Sequence, residues 1–201
     1  DFRDGVLQPT KGFFARFRIE EGTPFAGGES SYIRVEPEAR GYYSPVPRLV
    51  LAARVAGGTD LLGEDLPVNR RFFSGGAARH RGFAQRTLSP TAVAIDPDPV
   101  TGEPVNLAIG GSSMFETNIE ARIRIYDRYG MVLFADGGDV TEDVGSIEPG
   151  NLHWAVGTGL RVATPIGPFR IDLGFRINRL GGDNPRPNDR FAFHLSLGEA
   201  F

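Results

Sequence analysis

The sequence predicts an all-β protein, a transmembrane antiparallel β-barrel wall with about eight strands seen here. Three observations predict it. Apolar and polar residues alternate at period two in segment after segment, while helical periodicity is nearly absent. The alternating segments run about 9–13 residues, the length that crosses a bilayer when tilted. The connections alternate long and short, the asymmetry of barrels with tight turns on one side and long loops on the other.

The segments come in order. In "GFFARFRIE", Phe13, Ala15, Phe17 and Ile19 share one face, with Arg16, Arg18 and Glu20 on the other. "YIRVEPEARGY" sets Ile33, Val35, Pro37 and Ala39 against Arg34, Glu36, Glu38 and Arg40. "RLVLAARVA" sets Leu49, Leu51, Ala53 and Val55 against Arg48 and Arg54. "NIEARIRIY" sets Ile119, Ala121, Ile123 and Ile125 against Glu120, Arg122 and Arg124. "GMVLFADGG" reads as a weaker strand ending at Asp136. "LHWAVGTGLRVAT" puts Leu152, Trp154, Val156, Leu160 and Val162 opposite His153, Gly157, Gly159 and Arg161. "PFRIDLGFRIN" puts Phe169, Ile171, Leu173, Phe175 and Ile177 opposite Arg170, Asp172, Gly174 and Arg176. "FAFHLSLGEAF" ends the chain, with Phe191, Phe193, Leu195, Leu197 and Phe201 on one face.

Alternation alone fits a one-sided soluble sheet as well as a barrel wall. Composition favours the barrel. The polar faces carry Arg, Glu and interleaved Gly, and Lys11 is the only lysine. Glycine weakens a strand unless something packs closely there or the sheet must curve. Such faces suit a narrow, wet lumen. Between the strands, "EGTPFAGGES", the stretch 57–111, "GDVTEDVGSIEPG" and "LGGDNPRPND" are long, whereas "SPVP", "YDRYG" and "PIGP" are short. Both the entry to the first strand and Phe201 then lie at the short-turn end.

The bulk numbers exclude other classes. A formal net charge of -3 and no basic stripe leave no nucleic-acid partner. The chain has no cysteine, so disulfides and thiolate metal sites are absent. No apolar run approaches the ~20 residues of a membrane helix. The start "DFRDGVLQPT" carries no signal peptide or initiating Met, which predicts a piece of a longer protein.

These motifs, in this order, resemble the C-terminal barrel of the bacterial surface-antigen family, the BamA/TamA-like outer-membrane assembly family. "DFRDGVLQPTKG" is similar to the strand-turn signature ahead of a membrane strand. "RFFSGGAARHRGF" resembles the sixth extracellular loop, with its (I/V)-R-G-(F/Y) tetrad as His80-Arg81-Gly82-Phe83. "GGSSMFETNIEARI" and "LFADGGDV" resemble the next two strands, and "TPIGPFRIDLGFRINR" with "FHLSLGEAF" the last hairpin. Two departures stand out. The tetrad begins with a histidine instead of an aliphatic residue. The family barrel has sixteen strands behind periplasmic POTRA domains, so residues 1–201 would be the C-terminal portion of the barrel, about its second half.

The resemblance implies that the long loop, 58–110, folds back into the lumen. Arg81 then meets Glu120 and Asp136 on the inner wall, Gly82 permits a tight approach and Phe83 packs the tip. It also implies a C-terminal strand signal of Phe191, Phe193, Leu195, Leu197, Gly198 and Phe201, as a lipid-facing stripe in which Gly198 loosens the seam. The implied function is folding and inserting β-barrel proteins into the bacterial outer membrane, or moving a polypeptide across it. Alternatives are a two-partner-secretion-type polypeptide channel and the barrel anchor of a fused patatin-type lipase. Expected partners are outer-membrane lipid, nascent barrel or secreted polypeptide clients, and periplasmic accessory proteins through an upstream POTRA region.

No catalytic residue, metal or cofactor is expected. His80, His153 and His194 show no ligand spacing. "DPDPVTGE" (Asp96, Asp98, Thr101, Glu103) lacks the register of a calcium loop and reads as a surface turn. "VGTGLR" lies mid-strand and is no phosphate cradle, and there is no G-x-S-x-G elbow. Glu36 and Glu38 face arginines, which predicts a structural charge ladder.

Overall fold

The computed structural model describes residues 1–23, 31–62, 66–93, 106–165, 167–178 and 190–201. The strands are β1 (Gly12–Gly22), β2 (Tyr32–Val46), β3 (Leu49–Asp60), β4 (Thr91–Val93), β5 (Asn106–Ala108), β6 (Ser113–Tyr126), β7 (Tyr129–Thr141), β8 (His153–Val162), β9 (Phe169–Arg176) and β10 (Phe191–Leu197). Eight of them form one antiparallel sheet in the order β1-β2-β3-β6-β7-β8-β9-β10. The short β4-β5 hairpin lies within the long β3–β6 connection. Among the described residues no ladder joins β1 to β10, so both are sheet edges. No helix there is long and apolar enough to cross a membrane, which says nothing of a barrel that crosses with strands.

Each ladder keeps one face apolar. Phe17, Ile119, Leu133, Leu160, Leu173 and Phe193 all point outward and are exposed. A contiguous outward apolar surface is costly in water and suited to lipid. The 11-residue β1 spans ~35 Å at ~3.3 Å per residue, and a tilt of about 45° reduces that to the ~25 Å apolar band of such barrels. The inner face carries Glu38, Arg54, Glu116, Glu120, Asp136, Arg161, Arg170 and Asp172, all buried. Two small apolar clusters flank the charges. Phe72, Met114 and Val140 meet toward the long-loop end. Tyr42, Ala52, Ala200 and Phe201 meet toward the short-turn end.

Three details depart from the sequence expectations. β7 does not stop at Asp136 but runs to Thr141, because Gly137 and Gly138 pair in register with Thr117 and Glu116 of β6. These glycines are mid-strand, where Trp154 and the β6 backbone leave no room for a side chain. β10 ends at Leu197, so Gly198 lies just past the ladder instead of loosening it from within. Its φ of +91° and its N–H bond to the Pro168 carbonyl (2.8 Å) turn the chain inward. Phe201 therefore leaves the lipid-facing stripe and is buried at 6% exposure, whereas Phe191, Phe193, Leu195 and Leu197 stay outward. The Asp96–Glu103 turn lies outside the described residues.

Candidate functional site

Register creates the site. Across β6 and β7, Asn118 pairs with Asp136 and Glu120 with Phe134. Glu120 and Asp136 are thus diagonal neighbours on the inner face, one two-residue step apart, with the Phe134 ring between them. The next strands keep this patch shallow. Phe134 faces Gly157 of β8, which faces Gly174 of β9, which faces Ala192 of β10. Beside that row run Asp136, Ala155 and Arg176. A trough of small residues results, bordered by acids.

The tip of the long loop fills the trough. Arg81 is fully buried (0% exposed). Its Nη2 and Nε donate to the two Asp136 oxygens at 2.7 and 2.8 Å, and its backbone N–H reaches the same carboxylate at 2.8 Å. Nη1 donates to Glu120. The guanidinium carbon lies 3.6 Å from the Phe134 ring centroid, a cation–π contact in a desolvated setting. A planar fork of donors is what lets one cation satisfy two carboxylates at once.

The backbone around Arg81 is held as closely. A Cβ at Gly174 would fall 2.2 Å from the Arg81 carbonyl oxygen, and a Cβ at Gly82 would fall 2.5 Å from the Ala155 Cβ. Both positions need glycine for this approach. His194 of β10 donates from Nε2 to the Arg81 carbonyl at 3.0 Å. His80 takes a defined tautomer. The Gly82 N–H donates to Nδ1 at 3.3 Å, so Nε2 carries the proton and donates to the His153 carbonyl at 2.9 Å. Burial pushes the His80 pKa below its ordinary value. Phe83 packs edge-on against His80 and His153, under the Arg176 guanidinium.

The four tetrad residues and both expected acids therefore come together, and the three histidines, distant in sequence, all touch the tip. Among the described residues, no group of three or more His, Cys, Asp or Glu is placed to hold a metal. Glu38 joins a ladder with Arg16, Arg40 and Arg54 at 2.5–2.8 Å. Glu36 pairs with Arg34 at 3.1 Å. Sequence reasoning missed Phe134, Asn118, Glu116, Gly174 and His194 as parts of the dock. Alternation assigns each to the inner face, but only the ladder register shows which of them lie under the loop.

The C-terminal residues occupy a second inner seat. Arg122 stands 5.3 Å from the Phe201 ring and 5.7 Å from the Tyr42 ring, and donates to the Phe201 carbonyl oxygen at 3.3 Å. It also donates to Glu120 at 2.7 Å, so Glu120 lies between the loop tip and the C-terminal segment.

Comparison with known proteins gives three findings. The Omp85 superfamily domain matches residues 1–201. The chain is 31% identical to an outer membrane protein assembly factor BamA of Nitratidesulfovibrio vulgaris (strain Hildenborough), covering all of this chain and 24% of that protein. A crystal structure of BamA from Haemophilus ducreyi lacking POTRA domains 1–3 superposes with a TM-score of 0.73 at 22% identity, over 96% of this chain and 40% of that one. The chain thus spans about a quarter of the length of the curated relative.

Proposed function

Since this chain belongs to the Omp85 superfamily, whose BamA members are outer-membrane proteins, we propose that it is part of the barrel of an outer-membrane assembly factor that folds and inserts β-barrel clients. The observation that carries the reading is the docked loop. Arg81 on Glu120 and Asp136 plugs the inner face, which suits a barrel that works at its wall better than an open diffusion pore. The outward apolar band faces lipid, and clients add to an exposed sheet edge, where backbone N–H and C=O groups await partners. Client burial in lipid and strand pairing drive the process, with no catalytic residue or cofactor. An upstream POTRA region would recruit periplasmic accessory proteins.

Depleting the full-length parent in its host tests this. The proposal expects many unrelated β-barrel proteins to fall together in the outer membrane. Unchanged barrel levels with loss of one secreted polypeptide would instead support a dedicated secretion channel.

A further inference from the structure

We infer that Glu116 is a second anchor of the loop, a positioning residue that holds its neck as Arg81 holds its tip. The inference rests on the docked-loop reading above. Glu116 projects from β6 onto the inner face, 0% exposed, one strand turn toward the long-loop end from Asn118. Its Oε1 accepts a hydrogen bond from the Ser74 hydroxyl at 2.5 Å and from Arg79 Nη1 at 3.4 Å. Both donors belong to the loop. Its Oε2 accepts from Arg54 Nη1 at 2.8 Å, and Arg54 Nε donates to Glu38 at 2.7 Å. The wall arginine neutralises the buried acid and fixes its rotamer, which leaves the other oxygen aimed at the loop.

The neck itself is built to be held there. The Phe72 N–H reaches the Gly111 carbonyl at 2.8 Å, the Ser74 N–H the Leu88 carbonyl at 3.1 Å, and the Gly76 N–H the Phe83 carbonyl at 2.9 Å. The Ser74 side chain is the point at which this doubled strip is tied to the wall. Asn118 joins the two anchors. Its Nδ2 donates to the Arg79 carbonyl at 2.6 Å and to Asp136 Oδ1 at 2.8 Å. Glu116, Asn118 and Glu120 thus form an inward row on β6 that grips the loop at neck, shoulder and tip. Buried polar groups with all partners in place specify one arrangement, and losing one partner leaves the others uncompensated.

Hydrogen exchange on the full-length parent in detergent, read by mass spectrometry, separates the anchors. E116A removes both acceptor oxygens, so exchange at the amides of 72–76 should rise about tenfold or more, the factor for one charged hydrogen bond. S74A removes only the loop's hydroxyl and should raise the same amides by a smaller factor. The double variant should add nothing to E116A alone, and the β6 amides should stay as in wild type. R81A serves as the control and should free 80–83. Wild-type protection of 72–76 in E116A or S74A, with 80–83 freed in R81A, overturns the second anchor and leaves the lock standing. Continued protection of 80–83 in R81A overturns the lock reading itself.

Discussion

Arg81 and Arg122 share one acid, Glu120, and hold their cargo by different means. Arg81 donates from three side-chain nitrogens and its own backbone into two carboxylates, at full burial. Arg122 has one close contact, to Glu120 at 2.7 Å, while Glu199 stands 3.8 Å away and the Phe201 carbonyl 3.3 Å. The loop tip is thus held by directional bonds that allow one geometry. The C-terminal segment is held by rings and a loosely placed charge, which tolerate displacement. The difference teaches that two segments tucked into the same lumen need not be equally released by the same perturbation.

Five changes sharpen the contrast, the largest first. Arg81→Ala leaves Asp136 without its cation and Glu120 with Arg122 alone, and truncating one partner of a buried pair costs about 3–5 kcal/mol. The loss falls on docking of the loop, and exchange at 80–83 in the full-length parent should read it with the strands intact. Arg81→Lys should recover only part, since an ammonium cannot span both acids as a fork. Leu173→Arg, on the lipid side of the same strand as Gly174, should cost ~2–4 kcal/mol near the midplane, measured as unfolding from lipid vesicles. Gly174→Ala drives a methyl into the Arg81 carbonyl and should cost about 1–3 kcal/mol, with the loop displaced while the barrel stays folded. Phe201→Ala removes a ring from the Tyr42–Arg122 seat and should loosen residues 198–201 without altering exchange at 80–83.

Acidification offers a milder probe of the tip. The folded His80 pKa lies below the ordinary 6.5, so the unfolded loop binds the proton more readily than the docked one. Docking stability is therefore full above that ordinary value and falls as pH drops from it toward the folded pKa. Protonation also removes the Nδ1 acceptor used by the Gly82 N–H. Loop exchange should rise over that window, and His80→Gln should flatten the profile. Residues 198–201 should show no matching histidine step.

The outward face was legible in the sequence because it repeats one rule: alternation assigns Phe17, Ile119, Leu173 and Phe193 without any knowledge of partners. Arg81, Glu120 and Asp136 were legible through motif order, since the resemblance supplied the pairing. The rest depended on register. That Phe134 lies under Arg81, or that Gly174 clears its carbonyl, follows from which residue of β7 faces which of β8 and β9. Phe201 misled because its parity matches Leu197, while the positive φ at Gly198 breaks the strand between them.

The central claim is that the tip of the long loop is locked inside the wall by Arg81. A cryo-EM structure of the full-length parent in lipid nanodiscs tests it most directly. The account predicts Arg81 within hydrogen-bond distance of both Glu120 and Asp136, with its carbonyl against Gly174. Residues 71–83 projecting into solvent, with Arg81 away from both acids, would contradict it.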